Sequence, residues 1–211
     1  MTDKAYEAIT RARNQVAGGN PRGAVDTLEA YLATDPHNTG PRLVLANIAA
    51  KDVGDREYGL FQLNIVLDLE PDNVDAMKAK ATMLAGDKKD AREAEELFQR
   101  LLELDPAADV FNEYARFLRY QKADFKGARE YYEKAVAAEP SNPAYHRNFA
   151  VLLLNDVKDY PKAKSELEIL MELDPGDANV RKNYDRLMRE KFDADGNPKK
   201  TLRSRIGGRR S

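Results

Sequence analysis

Large side chains at Leu28, Leu63, Phe98, Tyr132 and Leu167 each follow a small residue by four positions: Ala24, Gly59, Ala94, Ala128 and Ala163. Three positions further on stand Tyr31, Val66, Leu101, Ala135 and Leu170. Steps of four and three place each triplet on one face of a helix. Five residues after each triplet an acidic residue precedes a proline, at Asp35-Pro36, Glu70-Pro71, Asp105-Pro106, Glu139-Pro140 and Asp174-Pro175, giving intervals of 35, 35, 34 and 35 residues. Proline ends the helix because it donates no amide hydrogen bond and disfavours helical geometry in the residue before it.

A second set of small residues, Ala46, Ala81, Ala115 and Ala150, lies 13 positions ahead of the first set. Between the two sets stand the turn-rich segments Asp52-Val-Gly-Asp55, Gly86-Asp-Lys-Lys-Asp90, Gln121-Lys-Ala-Asp124 and Asn155-Asp-Val-Lys-Asp159. The pattern predicts helical hairpins of constant turn length. Such a unit cannot bury its apolar face alone and is stabilised by stacking on its neighbours. Units are expected at about 3–37, 38–72, 73–107, 108–141 and 142–176. The opening helix, with Tyr6, Ile9, Ala12 and Val16 at helical spacing, fits no single register of the later units and is expected to act as an N-terminal cap. Val180, Tyr184, Leu187, Met188 and Phe192 predict an amphipathic capping helix over 177–192, completing an array over 1–192. The pattern stops at Asp193, Gly196-Asn-Pro198 breaks the helix, and 193–211 reads as a flexible basic tail.

This pattern resembles the tetratricopeptide repeat (TPR), in which small residues punctuate two helices and a proline closes a unit of about 34 residues. The resemblance covers roughly residues 3–176. The tryptophan often found early in the motif is absent, alanine replaces a frequent glycine of the first helix, and most turns carry one extra residue. It implies an all-α, right-handed α-solenoid of about five hairpins plus a C-terminal capping helix, with first helices lining a concave groove. The groove positions by register are Gly40, Leu43, Asn47 and Ala50; Asp75, Lys78, Thr82 and Ala85; Asp109, Asn112, Arg116 and Arg119; and Ala144, Arg147, Val151 and Leu154. Continuation into the capping helix adds Asn179, Lys182, Arg186 and Arg189. Seven of these twenty are basic and only Asp75 and Asp109 are acidic.

Arg and Lys on rigid helices pair with carboxylate or phosphate oxygens, and Asn satisfies a peptide backbone. Asn47, Lys78, Asn112, Arg116, Arg119, Arg147, Lys182, Arg186 and Arg189 are therefore the candidate peptide-binding residues, for an extended acidic segment of another protein. The competing reading of the arginines is a solvated face or ion pairs between neighbours. Tyr114, Tyr120 and Tyr145 read as packing between helices. Some relatives clamp a chaperone's terminal carboxylate with Lys and Asn from successive first helices. That clamp is not reproduced: Lys78 is followed by Thr82, Glu113 replaces an Asn, and Ala144 and Asn148 replace Lys and Arg. Asn148 and Asn183 match an Asn common in ordinary repeats and are expected to be structural.

Charge adds a second candidate surface. The net charge is -2, but setting aside Lys199, Lys200, Arg203, Arg205, Arg209 and Arg210 reduces the 34 basic residues to 28 against 36 acidic ones. An acidic body thus carries a basic tail, suited to nucleic acid, an acidic partner, an anionic membrane surface or the protein's own body, or simply solvated. With 33% charged and 42% hydrophobic residues and a mean hydropathy of -0.68, the composition is that of a soluble folded chain. No run reaches the roughly 18 apolar residues of a membrane span, and the opening residues lack a signal-peptide layout, so a cytoplasmic location is expected. The absence of cysteine excludes disulfides and thiolate metal sites.

Catalytic and cofactor motifs are not found: there is no GxxxxGK, HExxH or GxSxG. His37 and His146 read as isolated surface histidines. Asp193-Ala-Asp195-Gly196 only superficially resembles a calcium loop, its glycine falling two positions early. The sequence points to a non-catalytic adaptor or scaffold without cofactor or metal. A nucleic-acid or ribonucleoprotein accessory acting through the tail is the alternative, and self-association is a third route.

Overall fold

The computed structural model describes residues 3–199, so Lys200, Arg203, Arg205, Arg209 and Arg210 lie outside the described residues. Among the described residues the chain is an all-α solenoid of helical hairpins, with eleven helices and no strand. One compact unit, Met1–Pro106, holds α1 (Lys4–Ala17), α2 (Pro21–Leu32), α3 (Thr39–Ile48), α4 (Arg56–Leu69), α5 (Val74–Leu84) and α6 (Ala91–Leu104). The other, Ala107–Ser211, holds α7 (Ala108–Phe117), α8 (Phe125–Ala138), α9 (Pro143–Leu152), α10 (Tyr160–Leu173) and α11 (Ala178–Lys191).

Each second helix begins at an Asn or Asp four positions before its small residue: Asn20, Asp55, Asp90, Asp124 and Asp159. Four of these side chains accept a hydrogen bond from the amide three residues on, at Gly23, Tyr58, Gly127 and Lys162. Such caps satisfy an otherwise orphaned helix-start donor and are worth ~1 kcal/mol each. Asp90 instead pairs with Arg56 at 2.6 Å, tying α4 to the start of α6.

The extra turn residue takes a specific form. After α3, α7 and α9 the chain widens into a π-turn at Ala49–Val53, Leu118–Lys122 and Leu153–Val157. Each then reverses through a left-handed residue: Gly54 (φ 84°), Ala123 (φ 53°) and Lys158 (φ 62°). The α5–α6 hairpin instead uses a 3-10 turn at Lys88–Asp90. The α1–α2 hairpin lacks the extra residue, its buried Ala12 standing only twelve positions before Ala24. This shorter turn, through Gly18, Gly19 and Asn20, explains why the opening helix shares no register with the others.

The periodic positions form the core. Ala24, Ala94, Ala128 and Ala163 are fully buried, as are Leu28, Leu63, Phe98 and Tyr132. Burying a large apolar side chain contributes about 1.5–3 kcal/mol, an upper value where the unfolded chain is already compact. Gly59 marks a close approach of α4 to α3 and the turn after it: a Cβ there would lie 2.8 Å from the Ala46 carbonyl oxygen and 2.9 Å from Ala50 Cβ.

Two hairpins carry a polar pair at the same register inside this core. In the first unit Arg42 donates to Gln62 Oε1 at 2.6 Å and to the Pro36 carbonyl. In the second, His146 Nδ1 lies 2.7 Å from Glu166 Oε2 and Nε2 lies 2.8 Å from the Pro140 carbonyl oxygen. His146 is only 3% exposed and Glu166 1%. The expected surface histidine is thus a core residue, its partner brought in by the neighbouring helix. At the corresponding positions the α5–α6 and α7–α8 hairpins carry Met77 with Leu97 and Phe111 with Tyr131.

Tyr114 and Tyr145 are buried as expected, but Tyr120 is not a packing residue: it is 64% exposed. It lies in the middle of the π-turn that follows α7, where Arg119 covers its ring at 4.6 Å.

After α11 the described chain folds back. Asp193 accepts hydrogen bonds from the amides of Asp195 and Asn197, Phe192 bridges Pro198, and the Lys199 amide donates to Lys191 O at 2.8 Å. The Asp193 carboxylate is therefore engaged with backbone amides, and no metal-holding cluster occurs among the described residues.

Candidate peptide-binding surface

In the first unit, a cleft of about 280 Å³ lies on α1 and α3 with the turn after it, lined by Arg13, Val16, Val44, Asn47, Ile48, Lys51 and Asp52. Asn47, half-buried, donates its side-chain amide to the Leu43 carbonyl at 3.0 Å. Lys78 is half-buried on α5, where Thr82 bonds back to the Lys78 carbonyl.

In the second unit the predicted residues are drawn into a network. Arg116 grips both carboxylate oxygens of Glu113, at 3.1 and 2.9 Å. Asn112 is buried, donates to Glu113, and accepts from Asn148 of the next first helix at 2.9 Å. Asn148 therefore joins α9 to α7, the structural task expected of it. Arg119 pairs with Asp156 at 2.7 Å, its side chain only 8% exposed. Arg147 reaches Asp177, the N-cap of α11, at 2.7 Å.

Asp177 also accepts from the Val180 and Asn179 amides. Its carboxyl is held below the ordinary range, first by the Val180 amide and then by the Asn179 amide and Arg147, against the opposing effect of desolvation. Sequence position alone did not single out Glu113, Asp156 and Asp177. The carboxylates needed to hold the arginines come from a neighbouring turn of the same helix or from the next unit, so only spacing across a hairpin could have pointed to them.

Lys182, Arg186 and Arg189 project from α11 into solvent. With Arg181, Asn183, Asp185 and Ala178 they line a cleft of about 420 Å³, and Asn183 and Arg186 also line an adjoining cleft of about 240 Å³ that reaches Leu154, Lys158 and Tyr160. Of the tail cations, Lys199 is described; its ammonium donates to the Arg189 carbonyl at 2.7 Å, at the helix end where a cation offsets the backbone dipole.

No helix among the described residues is long and apolar enough to cross a membrane. No curated protein matches the chain by sequence. Among solved structures, PilF of Pseudomonas aeruginosa is similar with a TM-score of 0.74 at 17% identity, over 88% of this chain and 83% of that one. MamA (residue 41 to end) of Desulfovibrio magneticus RS-1 gives 0.69 at 20%, over 84% and 99%. YrrB, described as a TPR protein with an unusual peptide-binding site, gives 0.61 at 20%, over 79% and 84%. At these identities the likeness is one of fold. The tetratricopeptide repeat model matches residues 48–109 and 118–178, more than half of the chain. Repeats of this kind act in protein–protein interaction and scaffolding. The chain belongs to the tetratricopeptide repeat family.

Proposed function

We propose that this protein is a non-catalytic adaptor that binds an extended acidic segment of a partner protein along its first-helix face. The observation that carries this reading is the charge at the groove positions of the second unit: Arg116, Arg119, Arg147, Lys182, Arg186 and Arg189 stand against Asp109, in a chain with more carboxylates than cations. Pre-paired arginines such as Arg116 and Arg147 are fixed in position, so less side-chain freedom is lost when a carboxylate joins or displaces Glu113 or Asp177. YrrB supplies a precedent for peptide binding on this fold. The alternative, nucleic-acid binding through Lys199 and the basic residues that follow it, rests on the sequence of the tail.

The test is affinity capture from native lysate with and without nuclease, followed by direct binding of the Asp/Glu-rich segments of retained proteins as isolated peptides. Nuclease-resistant partners whose acidic peptide alone reproduces binding support the adaptor. Release of the bound material by nuclease, with affinity lost on deletion after Phe192, moves the function to nucleic acid.

A further inference from the structure

From Arg42 onward, the described arginines divide into two populations. From Arg42 to Arg147 every arginine is engaged by a carboxylate, an amide oxygen or a carbonyl: Arg42, Arg56, Arg92, Arg100, Arg116, Arg119, Arg129 and Arg147. On α11, by contrast, the side chains of Arg181, Lys182, Arg186 and Arg189 are exposed and have no ionic or hydrogen-bonding partner among the described residues. Asp185 is the one carboxylate lining their cleft.

A helix that merely closes a solenoid needs a polar outer face, which charges of either sign provide. A mostly basic stripe is costlier, even with Asp185 standing three residues from Lys182 and four from both Arg181 and Arg189. Lys182 and Arg186 are four apart and Arg186 and Arg189 three apart, spacings at which like charges destabilise a helix by ~0.2–0.5 kcal/mol per pair. The helix dipole favours cations only in the last turn, which accounts for Arg189 and Lys191 but not for Lys182 or Arg186. An anionic ligand would relieve this repulsion.

We propose that this face of α11 is the docking site for the Asp/Glu-rich segment of a partner protein, with Arg181, Lys182, Arg186 and Arg189 pairing its carboxylates and half-buried Asn183 meeting its backbone. The proposal rests on the adaptor reading and locates its charge recognition on the capping helix instead of on the already neutralised arginines of α7 and α9. The occupant is a protein segment because charge complementarity is joined to an amide: Asn183 sits where the two clefts meet, and the adjoining cleft adds Leu154 and Tyr160 for side-chain contact.

The experiment measures binding of a labelled Glu-rich peptide to the full chain by fluorescence anisotropy, at low and physiological salt. Lys182→Glu/Arg186→Glu/Arg189→Glu is expected to weaken binding by about tenfold or more with only a small drop in melting midpoint, since the three side chains hold no partner in the fold and only Arg189 gains from the helix dipole. A charge-matched control, Arg11→Glu/Arg22→Glu/Lys126→Glu, is expected to retain affinity within about twofold, since none of the three exposed residues lines the α11 clefts. Unchanged binding in the α11 variant, with loss on Arg116→Gln/Arg147→Gln, overturns this inference and leaves the adaptor reading in place. No peptide binding by the wild-type chain overturns both. Tighter binding of a single-stranded oligonucleotide than of the peptide at the same residues, or an α11 effect confined to self-association of the chain, also overturns the inference.

Discussion

His146 and Glu166 meet across the α9–α10 hairpin at 2.7 Å inside the core. The second imidazole nitrogen faces the Pro140 carbonyl, which only accepts, so Nε2 carries a proton and the Nδ1–Glu166 contact holds another between its two atoms. Lys162 stands 3.2 Å from the other Glu166 oxygen, placing a cation at the rim of the pair.

Removing one member strands the other in an apolar surround. Glu166→Leu is expected to destabilise the protein by about 3–5 kcal/mol. The double change His146→Met/Glu166→Leu, which copies Met77 and Leu97 of another unit, is expected to recover most of that loss. Denaturant melts of the two variants check this; equal loss in both would show that the pair is not coupled.

Gly59→Ala is expected to cost about 1–3 kcal/mol, because the new methyl overlaps the Ala46 carbonyl and Ala50 Cβ. Alanine stands at every equivalent position, so repeat averaging would choose this substitution as an improvement. Chemical denaturation of the single variant distinguishes the two expectations.

Ala123 and Lys158 adopt left-handed backbone angles where Gly54 stands in the α3–α4 turn. Ala123→Gly and Lys158→Gly should each stabilise the protein by roughly 0.5–1 kcal/mol, since glycine carries no Cβ penalty there, and Gly54→Ala should do the reverse. Thermal melts should rank the three with those signs.

Tyr132 is fully buried and its hydroxyl finds no hydrogen-bond partner among the described residues. Tyr132→Phe removes an unsatisfied polar atom while keeping the ring against Phe149, with centroids 6.1 Å apart. A gain of about 1 kcal/mol in unfolding free energy is expected, and a loss would mean that the hydroxyl is satisfied by solvent.

Asp177 ties the start of α11 to Arg147, and its carboxyl ionises more readily in the fold than in a free chain. A lowered carboxyl pKa contributes stability that is present above the unfolded value and lost as pH falls through the folded one. The stability difference between wild type and Asp177→Asn, which keeps a capping oxygen without a titrating charge, should therefore shrink on acidification from neutral pH. Thermal melts of both proteins across that range measure it.

Legibility in the sequence followed periodicity. The small and large positions at four-residue spacing are the buried ones, because a helix must hide the same face in every hairpin. The closing prolines marked the end of each unit because proline donates no amide hydrogen bond and disfavours helical geometry in the residue before it. Tyr120 escaped this logic: it lies beyond the regular helix, in the π-turn, where the angular step changes and a packing position becomes an exposed one.

Pairing belongs to the tertiary structure. Arg116, Arg119, Arg147, Arg181 and Arg186 look alike in a string of letters, yet the first three are held by Glu113, Asp156 and Asp177 and the last two are not held by any described residue. His146 likewise became a core residue only when the hairpin brought Glu166 to it. The amino-acid pattern by itself determined the repeat, the helices and the buried face, because those depend on contacts that recur every turn. Which charges are paired inside the protein and which stay exposed was decided by the fold, since a charge's partner is set by distance in space and not by position along the chain.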